Sequence, residues 1–312
     1  MKKSIFLFIL FLCFQGSYSQ RTIDLKYQEK NDNSVDFYYS KSMPGSYCIK
    51  IEFKQLENCK SRKKIYEKTV SENMGLLFTL RPEDENRRIF FSYSSNYAFG
   101  NPKPKINNDI IYALPFKEGK SVSIIEAKSF EKKYFGDEEP ENWKSFIAYS
   151  KSRDTVCAMR KGIVVYIVDE HDTTNADVLF TTKRNKIVIE HKDGSYASYK
   201  GFDKNEIFVE LGQKIYPHTK LGILTKDKEN NLYHLGFSVY HYLGNLLSDE
   251  TGTLKNSIRR TKYLNPIFSV NNQKQNLKSK EVYTATFNDE IRLQEFSRRE
   301  KRKYKKNPSD FK

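Results

Sequence analysis

Five histidines are spread along the chain, and one of them lies in a segment that is typical of a metal-binding strand. The segment YHLGFSVYHYLG, residues 233–244, places His234 two positions before Gly236. Side chains alternate between the two faces of a strand, so an H-x-H pair would present both imidazoles on one face. Such a pair could bind zinc or move protons. Here the first position holds His234 and the second holds a glycine, so the segment predicts a strand with one imidazole.

A metal site could also use other residues of the same region. His241 and an acid such as Asp249 follow His234 and offer an imidazole and a carboxylate. Seven residues separate His234 from His241, and an odd spacing puts the two side chains on opposite faces of a straight strand. A rearranged site of these residues is therefore the weaker alternative.

Other kinds of catalytic centre have little support in the sequence. There is no G-x-S-x-G motif for a nucleophilic serine, and no glycine-rich loop for a phosphate. Cys157 lies in the apolar segment VCAM, with no sequence signal of a paired base. We expect Cys157 to be a buried thiol.

The elements that must position His234 are short β-strands. Apolar runs alternate with turn-forming residues around it, and Asp193-Gly194 lies between two β-rich runs, which predicts a hairpin. The N-terminal part contains a second series of short strands, with the spacing of an antiparallel sandwich. We predict a mainly β protein, with a sandwich-like domain over residues 20–135 and a second antiparallel sheet domain over residues 143–272.

Two segments of unusual charge flank the second domain. The acidic, proline-containing FGDEEPENW marks a boundary near residues 135–143. Residues 273–312 form a basic tail that is predicted to be partly helical or disordered, with Asn288 as a helix cap and a dense basic run at 298–306. The whole chain has a net charge of +15. The tail is therefore either a solvated end or a contact for an anionic envelope surface.

The N-terminus predicts export. Residues 1–19 have two basic residues, then an apolar run at 5–14 that is too short to span a bilayer, and small residues before a cleavage point. A lipid anchor on Cys13 is the alternative. An exported protein would work in the periplasm or outside the cell, where nucleic acid is not an expected partner.

Two cysteines raise the question of a disulfide. Cys48 and Cys59 flank the segment IKIEFKQLEN, which predicts a strand and a turn. A Cys48–Cys59 bridge is feasible if the protein is exported to an oxidising compartment.

Four segments between residues 156 and 240 resemble, in order and spacing, the LytM/lysostaphin-type zinc endopeptidases, which cut peptide cross-bridges in peptidoglycan. They are VCAMRKGIVV, KIVIEHKDGSYASYKGF, VELGQKIYPHTKLGIL and HLGFSVY. The resemblance implies the family's small antiparallel sheet. It implies activity only if the residues that hold zinc are present.

The resemblance places the zinc ligands at positions whose side chains cannot bind zinc. Catalytic zinc needs three protein ligands and an open position for water. The H-x-x-x-D ligands of the family fall on Trp143 and Ile147, and the third ligand falls on Gly236. The histidine of the family's Y-x-H-L motif falls on Gly201, so that only His234 is retained.

The resemblance therefore implies an exported, catalytically inactive, peptidase-like protein without a cofactor, which serves as a binding, scaffold or regulatory module of the envelope. Its partner would be an envelope protein or a peptidoglycan peptide. The predicted groove residues are Tyr199, Gly201, Tyr233, His234 and Gly236, with further aromatic contacts from Tyr196, Phe202 and Tyr240. The alternatives are an active zinc metalloendopeptidase that cleaves peptidoglycan cross-links, and an unrelated β-rich adhesin.

Overall fold

The computed structural model describes residues 22–127, 143–172, 184–226, 231–244, 246–247 and 261–311. The predicted secretory signal at 1–19, most of the acidic segment at 135–143 and Asp249 lie outside these ranges. No helix within them is both long enough and apolar enough to span a membrane.

An antiparallel sandwich forms the N-terminal part of the fold. Its strands are β1 (Ile23–Glu29), β2 (Val35–Lys41), β3 (Tyr47–Glu57), β4 (Ile65–Val70), β5 (Met74–Leu80) and β6 (Phe90–Phe99). They form two three-stranded sheets, β1-β2-β5 and β4-β3-β6. The sheets share an aromatic core, in which Phe37 stacks on Phe78 with ring centroids 4.8 Å apart and meets the edge of Phe53 at 5.7 Å. The predicted sandwich is confirmed.

A large antiparallel sheet dominates the second part. The strands that follow the sandwich are β7 (Ile111–Ala113), β8 (Ser121–Glu126), β9 (Phe146–Ser150), β10 (Thr155–Cys157), β11 (Gly162–Val168), β12 (Asn185–Glu190), β13 (Tyr196–Ile207), β14 (Lys214–Ile215), β15 (Lys220–Leu224), β16 (Tyr233–Tyr242), β17 (Thr261–Tyr263), β18 (Ile267–Val270), β19 (Gln273–Gln275) and β20 (Glu281–Thr284). The main path of the sheet is β14-β11-β12-β13-β16-β9-β8-β20, with β10, β15 and β17 paired beside it. A small sheet, β19-β18-β7, contains the parallel pair β18–β7.

The core of the second part lies between the large and the small sheet. Phe237 of β16 stacks on Phe146 of β9 at 5.5 Å and meets the edge of Phe268 of β18 at 6.1 Å. The predicted hairpin joins β12 to β13. Its loop spans residues 191–195 and is therefore longer than the predicted two-residue turn Asp193-Gly194. His191 and Ser195 close it through a backbone hydrogen bond of 2.8 Å, and Gly194 has a φ of +84°.

The boundary between the sandwich and the second part lies earlier in the chain than the sequence predicts. Strands β7 and β8 belong to the second part, where Tyr112, Phe116 and Ile124 join the core of the large sheet. The sandwich core ends with Phe99. Because both parts consist of short strands, composition does not distinguish them, and the proline-rich segment 101–109 is the connection instead of the acidic segment.

The C-terminal residues, which were predicted to form a basic tail, are part of the folded structure. Strand β20 pairs with β8 and extends the large sheet, so residues 281–284 are part of the fold. Helix α1 (Asp289–Leu293) begins at Asn288, whose side chain accepts a hydrogen bond from the Ile291 amide, as predicted. Helix α2 (Arg298–Lys306) begins with a capping box of Ser297 and Glu300, and a 3-10 turn follows at Pro308–Phe311.

The predicted Cys48–Cys59 disulfide is wrong in this structure. Both thiols are free and buried. The intervening segment is one continuous strand and not a strand and a turn, because β3 runs from Tyr47 to Glu57. A strand advances about 3.3 Å per residue, so the two cysteines are separated by roughly 35 Å, far beyond the reach of a disulfide. Cys157 is a buried thiol, as predicted, and burial raises its pKa to about 12.

Candidate functional site

The large sheet has a core face and an outer face. On β16 the side chains of Leu235, Phe237 and Val239 enter the core, so those of His234, Gly236 and Ser238 belong to the opposite face. We call this opposite face the outer face. Strand pairing adds residues of β12, β13 and β9, and the outer face comprises Lys186, Val188, Glu190, Tyr196, Ser198, Lys200, His234, Gly236, Ser238, Tyr240, Ile147 and Tyr149.

His234 is buried and contacts a cation. Its side chain packs at 6.1 Å from the Tyr149 ring, and its Nε2 atom contacts the Nη1 atom of Arg184, which lies directly before β12. A guanidinium has only donors, so Nε2 of His234 must be the acceptor and the imidazole must be neutral. The lone pair that could bind a metal is therefore directed at a positive charge.

Two of the three predicted ligand positions lie near His234, and none of the three provides a ligand. Ile147 pairs with Gly236 across β9 and β16, next to the pair of Tyr149 with His234. Trp143 lies at the other end of β9, where its ring is 4.6 Å from that of Tyr263. An isoleucine and a glycine side chain cannot coordinate zinc, so these residues do not fit a zinc ion. Within the described ranges, no group of three or more His, Cys, Asp or Glu side chains could hold a metal.

Gly201 brings two strands unusually close. Its φ is +111°, and a Cβ atom at this position would lie 2.6 Å from the carbonyl oxygen of His234. Only glycine fits this conformation and this contact. The position at which the family has a histidine is therefore determined by backbone packing in this chain.

Two of the predicted groove residues belong to the core instead. Tyr199 is fully buried, and its hydroxyl accepts a hydrogen bond of 2.9 Å from the Met159 amide. Phe202 is also fully buried. Tyr233 is half-buried and packs against the core. Tyr199 has the opposite strand parity from Ser198 and Lys200, and it pairs with the core residue Phe237. Tyr196 and Tyr240 stack on the outer face, 5.7 Å apart.

The sequence did not reveal the positive charge of this face. Lys186 of β12 and Lys200 of β13 are direct cross-strand partners. Removal of water by the surrounding protein lowers the pKa of Lys200, and the charges of Lys186 and Arg184 lower it further. The ammonium group of Lys186 lies 4.7 Å from the centre of the Tyr166 ring. Strand parity alone could have put both lysines on one face, but the register that makes them partners is not visible in the sequence.

The sandwich covers one end of the outer face. Phe99 of β6 packs on Tyr196 at 5.7 Å and on Tyr242 at 6.1 Å. The backbone amide of Ser46 donates a hydrogen bond of 2.7 Å to Glu190 Oε2. Burial raises the pKa of Glu190, while the hydrogen bond from Ser46 lowers it. The sandwich therefore occupies the end of the outer face at Glu190 and Tyr196.

A cavity of about 720 Å³ lies between the sandwich and the large sheet, and Glu190 is part of its wall. Its wall includes His191, whose Nδ1 atom hydrogen-bonds the Lys161 carbonyl at 2.8 Å. Burial and the charge of Arg160 lower the pKa of His191 to about 3. His191 is thus a neutral, buried residue of the hairpin and takes no part in the outer face.

The rearranged site has no support among the described residues. His241 is buried, and its Nδ1 atom contacts the carbonyl oxygen of Tyr242 at 2.9 Å. The odd spacing directs its side chain away from the face that carries His234.

Neither a family model nor a curated protein matches this sequence. Parts of the chain are similar to solved structures. One chain in the structure of the SpoIIQ–SpoIIIAH pore-forming complex is 20% identical to this protein. The match covers 42% of this chain and 84% of that chain, with a TM-score of 0.27. The M23 metalloprotease pseudoalterin from the deep sea is 13% identical over 58% of this chain and 99% of that chain, with a TM-score of 0.31. A zinc-containing peptidase from Vibrio cholerae is 13% identical over 70% of this chain and 75% of that chain, with a TM-score of 0.24.

Two of these three structures are described as peptidases. Likeness at these TM-scores says nothing about activity. The function has to be inferred from the residues of the outer face.

Proposed function

We propose that this protein is an exported, metal-free, peptidase-like module that binds a peptide or protein segment of the cell envelope on its outer face. The observation that carries the proposal is the contact of Arg184 with Nε2 of His234. A guanidinium at this nitrogen opposes a metal ion electrostatically and competes for its lone pair. Ile147 and Gly236, the nearest predicted ligand positions, supply no replacement.

A binding role is supported by what remains of the face. It has aromatic rings at Tyr149 and Tyr240, cationic side chains at Lys186 and Lys200, and no side chain at Gly236. Such a mixture of apolar and polar groups is typical of surfaces that bind extended peptides.

A direct zinc measurement tests the proposal. The mature protein would be soaked with zinc, desalted and measured by elemental analysis, beside a His234→Ala variant. Near-zero zinc in both proteins would support a metal-free module. One zinc per chain that is absent from the variant would overturn it, and digestion of purified peptidoglycan would then test the peptidase alternative.

The basic C-terminal residues support a second contact. We propose that helix α2 binds an anionic envelope surface. Its seven cationic side chains, which are exposed, are Arg298, Arg299, Lys301, Arg302, Lys303, Lys305 and Lys306. Glu300 fixes the helix to the body through Lys161 at 2.7 Å and Lys214 at 2.6 Å. A helix held in this way presents its charges together, which favours binding to a surface of opposite charge.

A further inference from the structure

The cavity between the sandwich and the large sheet has the size of a ligand pocket. It occupies about 720 Å³, and pockets that bind small ligands often lie where two parts of a fold meet. Two loops of the sandwich, between β2 and β3 and between β4 and β5, form one side. The start of β11, the hairpin loop after β12 and the loop before β14 form the other. The described residues therefore leave a space large enough for a short peptide.

Two large apolar side chains are exposed in the wall of this cavity. Ile163 of β11 and Leu211 are each 43% exposed. Ile163 lies on the opposite face of β11 from Val164, which is fully buried in the core of the large sheet. The two exposed side chains are therefore not needed for the core. An apolar group of a ligand that covered them would remove apolar surface from water, which favours binding.

Charged side chains of both signs line the same wall. Glu72 and Lys192 are exposed, and Lys41 and Glu190 are buried. Lys41 donates a hydrogen bond of 3.1 Å to a backbone carbonyl, and Glu190 accepts one of 2.7 Å from a backbone amide. Within the described ranges, none of these four side chains has an opposite charge at ion-pair distance. The wall therefore offers two cations and two carboxylates that have no ionic partner in this part of the chain.

The two buried charges have lost solvation that a ligand could replace. Removal of water lowers the pKa of Lys41 and raises that of Glu190, so burial disfavours the charged form of each group. An ammonium group of a ligand near Glu190 and a carboxylate near Lys41 would stabilise both charged forms. Because the wall has two groups of each sign, a ligand with one charge of each sign fits it better than an anion or a cation alone.

We propose that this cavity binds a short zwitterionic peptide with an apolar side chain. In this site Glu72 and Glu190 bind the amino group of the peptide, Lys41 and Lys192 bind its carboxylate, and the exposed apolar residues of the wall contact its side chain. Of the outer-face residues, only Glu190 is part of the cavity wall. The inference therefore goes beyond the proposed function, since it assigns a second site that does not use His234.

Isothermal titration calorimetry with the tripeptide Ala-Leu-Ala tests the site. The full-length mature protein should bind the tripeptide with free ends. The same tripeptide with an acetylated amino end and an amidated carboxyl end should bind at least about tenfold more weakly, since charge-assisted hydrogen bonds are lost at both ends. Equal affinity for the free and the capped tripeptide would overturn the zwitterionic ligand. No binding of the free tripeptide would overturn the site.

Exposed residues of the wall supply variants that should keep the fold. Lys192→Gln and Glu72→Gln should each weaken binding of the free tripeptide about fivefold, through the loss of one charged contact. The matched controls are Lys64→Gln and Glu83→Gln, at exposed residues of the sandwich outside the cavity wall. Their affinities should remain within about twofold of the wild-type value. Equal losses in the wall variants and the controls would mean that binding follows net charge only, and would overturn the site.

A larger side chain in the wall locates the bound tripeptide. Ile163→Trp should fill part of the cavity and weaken binding of the free tripeptide at least about tenfold. Ile65→Trp, at an isoleucine of β4 that is 41% exposed and lies outside the cavity wall, should not change it. Lys200→Gln on the outer face should also have no effect. A loss in the Lys200 variant with retention in the Ile163 variant would place the tripeptide on the outer face, and would overturn this site while leaving the proposed function intact.

Discussion

Gly201 of β13 lies so close to β16 that a Cβ atom on it would be 2.6 Å from the carbonyl oxygen of His234. This contact sets the distance between the strands that carry Lys200 and His234. It also explains why the position has no side chain, independently of any catalytic role.

Gly201→Ala should destabilise the protein strongly. The substitution combines a backbone clash with a positive φ, and we expect a loss of about 2–4 kcal/mol in the free energy of unfolding. Urea denaturation followed by fluorescence measures it. The matched control is Gly119→Ala, where φ is +79° and no atom lies within 4 Å, so the loss should be only about 1 kcal/mol. Equal losses would contradict the close approach.

Arg160 should be essential for the attachment of the C-terminal segment. It is 1% exposed, forms two hydrogen bonds of 2.8 and 2.9 Å with Glu295, and pairs with Asp193 at 2.9 Å. Arg160→Met would leave both carboxylates without their buried cation, at a cost of about 3–5 kcal/mol in urea denaturation.

Arg153→Met is the control for Arg160. Arg153 also pairs with two carboxylates, those of Asp203 and Glu206, but it is half exposed. Its replacement should cost no more than about 1 kcal/mol. A similar loss for the two variants would mean that burial adds nothing to the Arg160 cluster.

His191 should make the protein less stable in mild acid. Burial and Arg160 lower its folded pKa to about 3, against about 6.5 in the unfolded chain. The unfolded state therefore binds a proton first as the pH falls, and the stability of the folded state decreases below pH 6.5. Between pH 7 and pH 5 the loss should be about 2 kcal/mol.

His191→Asn should reduce this pH dependence, whatever its effect at neutral pH. The contribution of His218, whose pKa burial also lowers, should remain. Urea denaturation at several pH values from 7 to 5 measures the slope, in a range above the titration of most carboxylates in unfolded chains. A wild-type slope in the His191 variant would show that another group titrates.

Lys200→Gln should stabilise the free protein. Loss of the repulsion with Lys186 should raise the free energy of unfolding by roughly 0.2–1 kcal/mol at low salt, and added salt should reduce the gain. Thermal denaturation at two salt concentrations measures it. Lys144→Gln should have the opposite sign, because Lys144 pairs with Glu126 at 3.0 Å. A destabilised Lys200 variant would argue against unrelieved repulsion.

Helix α2 should bind anionic bilayers. Sedimentation with vesicles of phosphatidylglycerol and phosphatidylcholine should carry the protein down at low salt, and vesicles of phosphatidylcholine alone should not. Neutralising Arg298, Arg299, Arg302 and Lys305 together should weaken binding at least about tenfold, since each cation near the surface contributes about 1 kcal/mol. Neutralising the same number of exposed residues on the sandwich, at Lys54, Lys60, Lys63 and Lys64, should change it little. Equal losses of vesicle binding in the two variants would mean that binding depends on the net charge of the protein and not on helix α2.

The sequence predicts the individual strands and helices better than it predicts which strands pair with each other. Alternating apolar residues identify β12, β13 and β16, and Asn288 identifies the start of α1, because these signals are local. The partnership of Lys186 with Lys200 depends on register, which is set by a loop closed through His191 and Ser195. The assignment of β8 to the large sheet depends on contacts with β9 and β20 that no local pattern contains.

The same reasoning explains the errors. Cys48 and Cys59 are separated by residues that could turn or continue, and the strand continues because Ile51 and Phe53 bury their side chains in the sandwich core. Tyr199 has the composition of a groove residue, but its parity puts it in the core. Composition identifies the type of residue, and the face it occupies follows only from strand alternation.

The pairing of β8 with β20 joins residues that are far apart in sequence, and the pair of Arg160 with Glu295 does the same. The protein therefore has a high contact order, and folds with this property form slowly. Until residues 281–311 are available, β8 has an unpaired edge that could pair with another chain, and Arg160 lacks one of its carboxylates. A nascent chain would remain incompletely folded until these residues have been synthesised.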